Sequence, residues 1–125
     1  MSGFVPLWPL LLLLVVHWFA DFVLQTDWQA ANKGKKLSAL SQHVGVYTLA
    51  IAVSAIFLFP FNPSRWAAFT TLNGSLHFAT DFVTSRVLTK RSRGDNAHVF
   101  FIIVGLDQLI HQVTLATTMW FIYYA

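Results

Sequence analysis

The chain has 125 residues, 56 % of them hydrophobic and only 10 % charged, with a formal net charge of +3. A soluble fold of this length has no interior large enough to hide so much apolar surface, so an ordinary soluble domain is set aside. Cysteine is absent, which excludes disulfides and thiolate metal ligands, and glutamate is absent too, leaving five Asp as the only acidic side chains.

A membrane-crossing helix needs about 20 mainly apolar residues. Four segments meet that need, roughly 4–27, 38–59, 66–88 and 98–124, and predict an all-α polytopic membrane protein, a bundle of four transmembrane helices in a single domain. The first segment opens with an almost unbroken apolar run from Phe4 to Phe19 and lacks the basic flank of a signal peptide, so it reads as a retained span. The third is half polar, with Thr70, Thr71, Asn73, Ser75, His77, Thr80, Asp81, Thr84 and Ser85. Such a helix is expected to be the most enclosed of the four, a re-entrant segment being the alternative.

The connections Asn32–Lys36, Pro60–Ser64 and Lys90–Asn96 carry turn residues and charge, and Asp27 and Asp95 are expected in loops. Seven of the eight Lys/Arg lie at the first and third connections, counting Arg86 at the end of the third span, with Arg65 alone on the other side. The positive-inside rule then turns both termini away from the cytoplasm. These few basic residues flank apolar segments, so their role is topology and no nucleic-acid partner is expected.

One phrase occurs twice, sixty residues apart: His17-Trp18-Phe19-Ala20-Asp21-Phe22-Val23 and His77-Phe78-Ala79-Thr80-Asp81-Phe82-Val83. Each puts a His and an Asp four residues apart, on one helix face. Asp107 and His111 repeat the spacing in reverse order, as an antiparallel helix would. An ionisable group at mid-membrane costs at least about 2.5 kcal/mol, so such pairs point to function. Residues 40–50 also align without gaps onto 106–116, with five of eleven positions identical. Together these suggest two repeated helix hairpins related by a pseudo-two-fold axis along the membrane normal.

Counting helical rise, His17, Asp21, His43, His77, Asp81, Asp107 and His111 all fall in the cytoplasmic half of the bundle. Stripes at helical spacing bring further polar groups to the same faces: Gln25 and Trp28 after Asp21, Tyr47 after His43, Asn73 before His77, and Gln108, Thr114 and Thr118 around His111. Four His and three Asp supply N/O ligands for one or two divalent ions such as Zn, Mn or Fe. The three Asp are also the candidate catalytic groups, while Gln25, Tyr47, Asn73 and Gln108 stand beside the ligands. Lys33, Lys36 and Arg91, at the same end, are candidates for holding an anionic lipid head group. His98, at a loop boundary, is assigned no role.

The ordered set from His17 through Gln25-Thr26-Asp27-Trp28 and Asn32-Lys33, then His43, His77/Asp81 and Asp107-Gln108-xx-His111, resembles the small bacterial and phage membrane family called domain of unknown function 3307. More distantly it is similar to membrane-bound metal-dependent hydrolases, whose own label is an inference. The resemblance implies a bacterial inner-membrane protein and supports fold and site more than activity. The leading expectation is a membrane-embedded metal-dependent hydrolase acting from the cytoplasmic side on a phosphate- or ester-containing lipid. Alternatives are a proton or divalent-cation transporter, a haem-binding bundle and a non-enzymatic membrane interaction protein. Partners beyond the bilayer are a lipid substrate and a second copy of the chain.

Overall fold

The computed structural model describes residues 3–91 and 96–124, and among these the chain is all helical, with no strand. Helix α1, Trp8–Trp18, runs into a π-helical turn, Phe19–Val23; α2 is Asp27–Asn32, α3 Leu37–Leu58, α4 Pro63–Lys90 and α5 Ala97–Met119, which ends in a second π-helical turn, Trp120–Tyr124. The α1 stretch packs against α3 and α5, α3 against α4, and α4 against α5.

Local chemistry explains most of the boundaries. Asn62 caps α4 by accepting from the Arg65 amide at 3.1 Å, with Pro63 in the first turn where its missing N–H costs no bond. Asn96 caps α5 in the same way through Val99. The first expected span is the one that departs. Continuous helix ends at Val23, because Thr26 and Gln29 form a reciprocal capping box with both bonds at 3.1 Å and begin a new helix there. That break takes Gln25 and Trp28 off the stripe of His17 and Asp21, and Trp28 is exposed. It also places Asp27, expected in a loop, in the first turn of α2, where the helix dipole favours a carboxylate. Asp95 lies outside the described residues.

Two helices are long and apolar enough to cross a membrane, Leu37–Leu58 and Ala97–Tyr124, while Trp8–Val23 is apolar but shorter. At one end of the bundle polarity is reversed relative to a water-soluble one. His17, Asp21, His43, Asn73, His77, Asp81, Asp107 and His111 are buried, whereas Leu11, Val15, Leu49, Val53, Phe57, Leu109 and Val113 are exposed.

The interior divides along the bundle. Toward the Pro60 turn it is apolar, built from Leu13, Ile51, Ala55, Leu58, Phe59, Phe69, Leu115 and Met119. Toward the Lys33 and Lys90 end it holds the His and Asp side chains. Between the two, Asn73 and Thr118 exchange hydrogen bonds at 2.9 and 3.1 Å.

The burial pattern bears on the repeat. Shifting α1 by sixty residues carries buried Leu13, His17 and Asp21 onto buried Asn73, His77 and Asp81. The gapless pairing of 40–50 with 106–116 does not work this way, since it sets His43, 1 % exposed, against Leu109, 55 % exposed. A shift of 64 instead carries buried His43, Tyr47, Ile51, Ser54 and Ala55 onto buried Asp107, His111, Leu115, Thr118 and Met119. The first helices of the two hairpins therefore share faces in the register of the repeated phrase, and the second helices in one that residue identity does not reveal.

Candidate metal centre

Every one of the seven predicted ligands is buried, and all seven come together at one end of the bundle. The i, i+4 pairs are present but loose: His17–Asp21 at 3.7 Å, His77–Asp81 at 3.6 Å and His111–Asp107 at 3.4 Å. The tighter contacts cross between helices. His43 Nε2 lies 2.9 Å from Asp21 Oδ1, and His111 Nε2 lies 3.1 Å from Asp81 Oδ1. The acid of one pair thus serves the imidazole of another helix more closely than its own neighbour.

Four donors converge most tightly. His43 Nε2 and His77 Nε2 face each other at 3.2 Å. Asp21 Oδ1 lies 3.4 Å from His77 Nε2, and Asp81 Oδ2 lies 3.3 Å from His43 Nε2. Two imidazole nitrogens and two carboxylate oxygens within 4.8 Å of one another form a set that could hold a divalent ion, and a proton shared between two nitrogens serves only one of them. Asp21, Asp107 and His111 form a second group of this kind. Asp21 belongs to both. Asp81 also spans the gap, its Oδ1 toward His111 and its Oδ2 toward His43 and His77. These two groups are where a metal ion could be held.

The π-helical turn helps place Asp21. Its widened backbone bond, from the Leu24 amide to the Phe19 carbonyl at 2.9 Å, leaves Ala20 and Asp21 both buried. Such turns recur at functional sites because they re-aim one side chain without ending the helix.

Around the centre, Gln108 ties three groups together. Its Oε1 lies 2.9 Å from His17 Nε2, and its amide donates to Asp21 Oδ2 at 3.2 Å and Asp107 Oδ2 at 3.0 Å. His17 also approaches the Tyr47 hydroxyl at 3.3 Å through Nδ1, so it stands beside the centre and outside both convergent groups. Tyr47 stacks on the His77 ring at 3.7 Å, and His111 stacks on its other side at 4.1 Å.

Of the other candidates, Asn73 is bonded to Phe69 and Thr118 in the layer beyond the cluster. Gln25 sits in the break before α2, its Oε1 buried without a hydrogen-bond partner. Of the three head-group candidates, Lys36 lies over the Trp28 ring and Arg91 is exposed at the end of α4. Lys33 reaches inward instead, donating to Asp81 Oδ2 at 2.9 Å. His98 is exposed in the first turn of α5.

Two contacts go beyond the sequence reading, which puts Thr84 on the polar stripe of the third span and Lys33 among the head-group candidates without assigning either a partner. Thr84 donates to Asp107 Oδ1 at 2.5 Å, and the Lys33 ammonium pairs with Asp81. Thr84 follows Asp81 by three residues, a spacing that carries it to the same face. Charge and position mark Lys33, but its approach to Asp81 depends on how the turn after α2 packs.

The family of proteins of unknown function DUF3307 matches this chain over residues 10–124. The chain belongs to that family. The match spans α1 to the final π-helical turn and includes every residue of the cluster. No curated protein and no solved structure matches the chain.

Proposed function

We propose that this DUF3307 protein is a four-span bacterial inner-membrane enzyme that uses one or two divalent ions to hydrolyse a phosphate- or ester-containing lipid from the cytoplasmic side. The observation that carries the reading is the convergence of His43, His77, Asp21 and Asp81 on one point, with Asp21 shared by a second group containing Asp107 and His111. Three buried carboxylates within reach of one another need positive charge, and divalent ions supply it. A bound zinc, manganese or iron ion would polarise an ester or phosphoryl oxygen and acidify water.

The protein's own residues divide the remaining tasks. Asp21 and Asp81, each facing both groups, are suited to bridge two ions. Asp107 is the carboxylate suited to take a proton from water, held in place by Thr84 and Gln108. The exposed Lys36 and Arg91 at the same end suit a head-group anion. The four-span reading is favoured by the reversed polarity of the bundle, whose outer surface is apolar on α1, α3 and α5.

Transport through the same cluster is the second reading. Against a continuous path stands the apolar plug of Leu13, Ile51, Leu58, Phe69 and Leu115. A haem between paired imidazoles is disfavoured because His77 is sandwiched between Tyr47 and His111, with no slot for a porphyrin.

Elemental analysis of detergent-purified protein tests the proposal. One or two equivalents of zinc, manganese or iron are expected, lost in Asp81→Ala and in His77→Ala, and justify a screen of lipid phosphates. Wild type that stays metal-free after reconstitution with each ion sinks the hydrolase.

A further inference from the structure

The oxygen through which Asp81 faces His43 and His77 is already occupied. Lys33 Nζ donates to Asp81 Oδ2 at 2.9 Å, and that same oxygen stands 3.3 Å from His43 Nε2 and 3.6 Å from His77 Nε2. An ammonium head and a metal ion on this donor set would therefore meet the same lone pairs. Asp81 is 1 % exposed and the Lys33 side chain 18 %, so the pair is shielded from bulk water and its charge matters more than on a surface.

The backbone holds Lys33 in this position. Gly34 packs so closely against α4 that a Cβ there would stand 2.5 Å from the Ser85 carbonyl oxygen and would overlap the Thr89 hydroxyl. Ser85 Oγ, which donates to the Asp81 carbonyl one turn back, also approaches the Lys33 carbonyl at 3.4 Å. The side chain also has somewhere to go, because Lys33 borders a cavity of about 220 Å³ lined by Ala30, Gly34, Ser85, Leu88, Thr89 and Phe100. This cavity lies at the basic end of the bundle, between the turn after α2, the end of α4 and the start of α5.

We propose that Lys33 is a tethered counter-cation. Its ammonium neutralises Asp81 in the metal-free protein, competes with the metal for that carboxylate, and is released toward the mouth cavity when the ion binds. This rests on the metal reading above and adds regulation to it: loading the centre frees a positive charge where an anionic substrate would enter. By linkage, an anion that holds the freed ammonium also favours the metal-loaded state.

The test is a titration of the purified protein with Co²⁺ or Zn²⁺ for wild type, Lys33→Met, Lys33→Arg and Asp81→Asn, with amine acylation of Lys33 followed by mass spectrometry. Removing a competing charge should tighten metal binding in Lys33→Met by roughly fivefold or more, in the range of typical site-to-site couplings. Lys33→Arg, which keeps the charge, should stay within a few-fold of wild type, and Asp81→Asn should bind least. Acylation of Lys33 in wild type should be slow without metal and rise on its addition. Equal or weaker binding in Lys33→Met, or Lys33 that stays protected in the loaded protein, overturns the counter-cation role while leaving the metal centre standing. Absence of binding in both wild type and Lys33→Met removes the metal centre itself, and this proposal with it.

Discussion

His17 and His43 are equally enclosed, yet their ring nitrogens have different partners. His43 Nε2 meets Asp21, Asp81 and His77, whereas His17 meets a Gln amide oxygen and a Tyr hydroxyl. A ligand and an orienting group should respond differently to truncation. In metal titrations, His43→Ala should abolish tight binding and His17→Ala should only weaken it. Equal losses would put His17 among the ligands. Gln108→Leu leaves no direct donor missing but releases His17, Asp21 and Asp107 together, and should weaken metal binding by about 10–100-fold. The i, i+4 pairs were legible because helical spacing alone puts a His and its Asp on one face. Which carboxylate each imidazole prefers was not, since the short contacts run between helices and depend on packing. Lys33 illustrates the limit: charge and position marked it as relevant, but only the turn geometry turns it onto Asp81.

Among the elements, α3 and α5 follow closely from apolar length, and α4 is legible as the half-polar segment expected at 66–88, which the Asn62 cap starts earlier, at Pro63. The first span is shorter than its apolar content suggests, because the sequence contains a stop. Thr26 and Gln29 are a capping pair three residues apart, and it ends the stripe short of Gln25 and Trp28. The turn that follows rests on Gly34. Gly34→Ala must push a Cβ against the Ser85 carbonyl, a backbone atom with little freedom to yield, and should destabilise by roughly 1–3 kcal/mol, as overpacking does. Gly45 and Gly105 are helical glycines with nothing within 4 Å of an added Cβ. Alanine at either should stabilise by about 0.5–1 kcal/mol through helix propensity. Thermal unfolding in one detergent compares all three variants. A Gly34→Ala protein melting with or above wild type would mean that the turn does not hold Lys33 as described.

At the scale of the whole molecule, a polar cluster beneath an apolar exterior is the arrangement that the proposed membrane reading calls for. Charge supplies the orientation: Lys33, Lys35, Lys36, Arg86, Lys90 and Arg91 lie at the cluster end, and Arg65 stands at the opposite end beside the Pro60 turn. Under the proposed four-span reading, the rule that positive loops remain in the cytoplasm would put the cluster on the cytoplasmic side and the Phe61 turn outside. Because the chain has no cysteine, single-cysteine variants report position without background. Phe61 is fully exposed in the turn between α3 and α4, and Lys35 is exposed in the turn between α2 and α3. In intact cells treated with a membrane-impermeant maleimide, Phe61→Cys should label directly and Lys35→Cys only after lysis. Labels exchanged between the two positions would invert the bundle and turn the cluster away from the cytoplasm, leaving substrate to arrive from the other face. Both positions labelling only after lysis, in protein recovered from the soluble fraction, would deny that α1 and α4 cross the bilayer at all. The enclosed His/Asp cluster would then have to be explained in water, where three buried carboxylates demand their cations just as strongly.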